Sequence, residues 1–127
     1  MTELQSDASL FAFNITQLLK LDEEYRQHWR YKHKQDPLKE PIRQAVKNTK
    51  SWASKMAGHL EITPEPDQFE RYAIKTWTAW ETYSKAREAY LFGERTAESL
   101  KSLRDSEKEL KSHTKSLNYL INTINEK

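Results

Sequence analysis

The sequence contains no cysteine, and only two glycines and four prolines among its 127 residues. Without thiols there is no disulfide framework, no thiolate metal ligand and no cysteine nucleophile, and a reducing compartment is compatible. So little turn-forming material favours a few long elements over many short ones. No apolar run approaches the ~20 residues of a transmembrane helix. The first ten residues are acidic and polar rather than basic and then apolar, unlike a secretory leader, so the expected address is cytoplasmic, with no membrane partner. Catalytic signatures are also missing: there is no glycine-rich phosphate loop, no Gly-x-Ser-x-Gly elbow and no His-Glu-x-x-His pair. The histidines are His28, His33, His59 and His113. The closest two, His28 and His33, are not spaced to share a helical face. The carboxylates lie on amphipathic faces with no apolar pocket around them. The expectation is a protein that is not an enzyme, with no catalytic residue, no metal site and no cofactor.

What is present suffices for a core. Apolar residues make up 36% and charged ones 31%, and there are four Trp, six Tyr and four Phe. That many large rings can offset chain entropy in a single domain spanning residues 1–127. Apolar residues recur at three- and four-residue steps, which predicts an all-α chain. Four long helices are expected at about 7–34, 41–60, 67–92 and 96–125, packed as an antiparallel bundle because the connections are short. Ser6 or Asp7 is the expected cap of the first helix, whose stripe is Leu10, Phe11, Ile15, Leu18, Leu21, Tyr25 and Trp29. Pro37 and Pro41 mark a connection at 35–40, since proline disfavours the helical conformation in the residue before it. The second helix would bury Ile42, Ala45, Val46, Thr49, Trp52, Ala53, Met56 and Leu60. A second break falls at 62–67, with Asp67 as a cap. The third helix carries a broad aromatic arc from Phe69 to Leu91, including Trp77 and Trp80. Gly93 suits a left-handed cap at its end. The fourth has a coiled-coil-like seam, Leu100, Leu103, Leu110, Leu117, Ile121 and Ile124, interrupted by Glu107 and Thr114.

Charge is distributed unevenly. Between Arg26 and His59 there are nine Lys or Arg (Arg26, Arg30, Lys32, Lys34, Lys39, Arg43, Lys47, Lys50 and Lys55) against Asp36 and Glu40, a net +7 in 34 residues. The whole chain carries 21 basic and 19 acidic residues, net +2, so the remainder sums to −5. Such asymmetry points to a polyanionic partner, and Trp29, Tyr31 and Trp52 interleave with the cations as in a nucleic-acid-binding surface. Arg43, Lys47, Lys50 and Ser54 fall on one helical face, and no acid occurs from Pro41 to Leu60. A merely solvated helix usually mixes signs, because Glu–Lys pairs one turn apart add stability. The candidate nucleic-acid-binding residues are Arg26, Arg30, Lys32, Lys34, Arg43, Lys47, Lys50 and Lys55. A structural explanation exists for the first cluster: cations at a helix C-terminus complement the macrodipole.

Two family resemblances follow from these residues. Arg26 and His33 bracket six residues, which resembles the Arg-x(4–6)-His spacing of HEPN-type helical ribonucleases, where the pair activates a ribose hydroxyl and stabilises the scissile phosphate. Gln27 stands where that family usually has Asn, Asp or His, and the motif lies early in the chain rather than late. The stretch Arg26–Lys34, the acid-free helix 42–60 and the aromatic helix 72–92 together resemble the small helical subunit of CRISPR effector complexes, in architecture and charge. That resemblance implies a non-catalytic subunit in contact with other effector subunits and with copies of itself. It would line the groove beside the guide RNA–target DNA duplex and hold the target or the displaced strand. A stand-alone phage or plasmid DNA- or RNA-binding protein and a helical protein–protein adaptor are the alternatives.

Overall fold

The structure, a computed structural model, describes residues 2–60 and 65–125. It is all-α: α1 (Glu3–Gln27), α2 (Lys32–Leu60), α3 (Gln68–Phe92) and α4 (Ala97–Asn125), with no strand among the described residues. The helices pack in pairs, α1 on α2 and α3 on α4. The chain forms two compact units, Met1–Glu61 and Ile62–Lys127.

In the first unit the N-terminal cap is Thr2, not Ser6 or Asp7. Its hydroxyl accepts from the Gln5 amide at 3.1 Å while the Gln5 side chain accepts from the Thr2 amide at 3.1 Å, a reciprocal capping box. The pattern Thr2-Glu3-Leu4-Gln5 carries that signal in the sequence. The core side of α1 is Ala8, Phe11, Ala12, Ile15, Leu18, Leu19 and Asp22, with Leu21 and Tyr25 only half-buried. Helix α1 stops at Gln27 rather than reaching 34, so Trp29 leaves the expected stripe and is 69% exposed. The turn lies at 28–31. It contains neither glycine nor proline, and is closed by the Tyr31 amide donating to the His28 carbonyl at 2.8 Å. The Gln35 amide group also reaches back to the Tyr25 carbonyl at 2.9 Å, adding a second donor to an acceptor that the His28 amide meets at 3.3 Å.

Helix α2 therefore begins nine residues earlier than expected and passes through both Pro37 and Pro41. The connection expected at 35–40 is helical. Both prolines are exposed and one turn apart, and the residues whose carbonyls lose a helical donor, His33 and Pro37, are exposed as well. Ile42, Ala45, Thr49, Ala53 and Met56 are buried as expected, while Val46, Trp52 and Leu60 are half-buried.

In the second unit the boundaries fall within a residue or so of expectation, because local signals fix them. Asp67 accepts from the Glu70 amide at 2.8 Å and starts α3. Residues 62–64 of the expected break lie outside the described residues. Thr96 and Ser99 cap α4 by reciprocal bonds of 2.9 and 3.1 Å. Gly93 ends α3, but at φ −106° rather than in the left-handed region. Phe69, Ala73, Thr76, Ala79, Trp80 and Tyr83 are buried; Trp77 is half-buried. The α4 seam continues through its two polar positions. Glu107 is buried and pairs with Lys111 at 3.1 Å, and Thr114 is buried with its hydroxyl unpartnered.

Candidate nucleic-acid interface

All eight candidate cations belong to the first unit. Their local settings differ from those the sequence suggests. Arg26 lies in the last turn of α1, half-buried, and Arg30 lies in the turn. Lys32 and Lys34 open α2 instead of closing α1, and no acidic residue occupies that first turn. This removes the dipole explanation for them and reverses its sign. A cation at a helix N-terminus faces the positive end of the macrodipole, at a cost of roughly 0.3–1 kcal/mol each. The dipole of their own helix therefore gives no reason for these two cations, although the negative end of α1 lies across the same turn.

The longer α2 also lengthens the basic face. Lys32, Lys39, Arg43, Lys47 and Lys50 step by seven, four, four and three residues, so they share one side of the helix, and all five are exposed. Lys39 joins this stripe only because 35–40 is helical; a break there would have kept it off the face. At 1.5 Å per residue the stripe runs about 27 Å, the rise of roughly eight base pairs. Two carboxylates lie beside it: Asp36 meets Lys39 and Glu40 meets Arg43, each at 3.2 Å. These pairs are exposed on both sides, and exposed pairs are worth ~0–1 kcal/mol, so a phosphate can displace them.

Lys34 and Lys55 lie off the stripe, each beside a ring. The Lys34 ammonium is 5.1 Å from the Tyr31 ring centre and that of Lys55 is 4.1 Å from Trp52. Arg30 sits 4.6 Å over Trp29. The turn and the first residues of α2 thus form a cationic and aromatic tip, with Trp29, Arg30, Tyr31, Lys32, His33 and Lys34 all exposed.

At the other end of the hairpin, His59 Nε2 lies 2.8 Å from Asp7 Oδ2, and Glu3 brings a third ligand-type atom into a cluster within 4.8 Å. Sequence reasoning missed this grouping because His59 and Asp7 are 52 residues apart and no local spacing reports it. The direct His59–Asp7 bond, with both side chains largely buried, makes it a clasp between the start of α1 and the end of α2. Arg26 and His33, the pair with ribonuclease-like spacing, fall on opposite sides of the turn, and the His33 ring stands edge-on to Tyr31 at 6.0 Å.

Comparison with family models, with curated proteins and with solved structures gives no significant match. The functional reading therefore rests on the residues themselves. No helix among the described residues is long and apolar enough to cross a membrane.

Proposed function

We propose that the first unit binds nucleic-acid backbone, without catalysis and without reading sequence, and that the protein does so as one subunit of a larger complex. The observation that carries the binding reading is the exposed stripe from Lys32 to Lys50, which begins with cations set against the dipole of their own helix. Lysine and arginine neutralise phosphates and release condensed counterions, and such interactions carry no sequence information. This is also the role implied by the resemblance to CRISPR effector small subunits.

The test is a pair of triple substitutions. Replacing Arg43, Lys47 and Lys50 together by Ala should weaken binding to every sequence alike. The log–log salt dependence should flatten by about 0.7–0.9 for each phosphate that is no longer neutralised. The fold should survive, since exposed substitutions usually shift stability by ~0.5 kcal/mol or less. Replacing Lys101, Lys108 and Lys115 on α4 removes the same charge from an exposed face of mixed sign and should leave affinity nearly unchanged. Equal weakening by both triples would reduce the stripe to a solvated face. Absence of binding in the unaltered chain would turn the reading to a protein adaptor with an acidic partner.

A further inference from the structure

The tip of the first unit has a feature that backbone binding does not require. Trp29 is 69% and Tyr31 52% exposed, although the same chain buries Trp80 and Tyr83 almost completely. Each exposed ring has a cation on one face: the Arg30 guanidinium 4.6 Å from the Trp29 centre, the Lys34 ammonium 5.1 Å from that of Tyr31. The backbone beneath them is tied down by the Trp29 amide to the Arg26 carbonyl at 3.3 Å and the Tyr31 amide to the His28 carbonyl at 2.8 Å. Lys32 and Lys34 continue the exposed positive surface into α2, with the His33 ring exposed between them.

We infer that this tip binds single-stranded nucleic acid by stacking unpaired bases on Trp29 and Tyr31, with Arg30, Lys32 and Lys34 holding the adjoining phosphates. The inference rests on the backbone-binding reading and narrows it. A ring takes a base on its open face, while the cation on the other face lies close enough to meet the phosphate that follows. Duplex offers phosphates but no free base faces, so it can use the α2 stripe without using the rings. Single strands use both, because every base has a face to stack. Specificity for sequence is not expected, since stacking discriminates bases weakly.

The test uses the full chain, a labelled oligothymidylate and a blunt DNA duplex of equal length, with binding followed by fluorescence anisotropy. Trp29→Ala and Tyr31→Ala should each weaken oligothymidylate binding by about tenfold and leave duplex affinity within about twofold. Their salt slopes should be unchanged because every cation remains. Trp29→Phe keeps a ring and should retain most of the single-strand affinity, which separates stacking from a general disturbance of the turn. Ring variants that lose nothing, or that lose single strand and duplex equally, overturn the inference and leave the backbone reading standing. Trp29-dependent binding to phosphatidylserine vesicles, without oligothymidylate binding, also overturns it and makes the tip a membrane-surface contact. A wild-type chain that binds neither nucleic acid overturns both readings.

Discussion

Gly58 and Gly93 show how differently one residue type can be used within a chain that has only two of them. A Cβ added at Gly93 would meet the Ala89 carbonyl oxygen at 2.6 Å, which the backbone cannot yield without opening the end of α3. At Gly58, inside α2, a Cβ would meet nothing within 4 Å. Gly93→Ala should therefore cost roughly 1–3 kcal/mol, as overpacking does. Gly58→Ala should stabilise by roughly 0.5–1 kcal/mol through the lower entropy of its unfolded chain. Urea unfolding of both variants checks the pair, and a change of the same sign in both would refute the account. That glycine ends α3 was legible in the sequence; why it must was not. The handedness argument predicts a positive φ, whereas the observed reason is a close approach that only coordinates reveal. The clasp between His59 and Asp7 is hidden for a similar reason, since a partner 52 residues away leaves no trace in local spacing.

Among the elements, α3 and α4 were readable because Asp67, Thr96 and Gly93 act within a turn of themselves. The boundary between α1 and α2 was not, because proline preference spoke for a break at 35–40 while the actual turn, His28 to Tyr31, uses no conventional turn residue. Packing of α2 along α1 outweighs the local cost of its prolines. A helix-interior proline costs ~3 kcal/mol relative to alanine, offset in part by its stiffening of the unfolded chain. Pro37→Ala should then stabilise the protein by about 1–2 kcal/mol and raise hydrogen-exchange protection at the amides of residues 38–40 and 42. A substitution that destabilises the chain, or that leaves those amides unprotected, would restore the connection to 35–40 and remove Lys39 from the basic stripe. The same misplacement explains why the candidate site was only partly legible. The identity of its cations could be read from composition, but their orientation depended on which helix owns Lys32 to Lys39.

For the molecule as a whole, charge and exposed apolar surface are divided in ways that bear on assembly. The unit Met1–Glu61 holds ten basic and eight acidic residues, and Ile62–Lys127 holds eleven of each. Within the first, α1 carries two basic against five acidic residues and α2 seven against two, so the hairpin joins an acidic helix to a basic one. The net charge of the chain is small because the acids of α1 oppose the basic helix, and not because its surface is uniformly mixed. Under the proposed function, that division would draw a polyanion to one strip without making the whole surface sticky, as a subunit held among others requires. Apolar side chains left in water point the same way: Leu10 at 41% and Phe13 at 58% exposure lie one turn apart on α1, and Phe92 and Tyr119 reach 83% and 71%. A subunit that meets copies of itself should show a weight-average sedimentation coefficient that rises with concentration. Leu10→Gln combined with Phe13→Glu should abolish that rise if α1 forms the contact, while the melting temperature stays within about 2 °C because neither side chain belongs to the core. A wild-type chain that stays monomeric at every concentration and co-purifies with no protein or nucleic acid would refute the subunit reading. The basic stripe would then stand or fall on its own salt dependence.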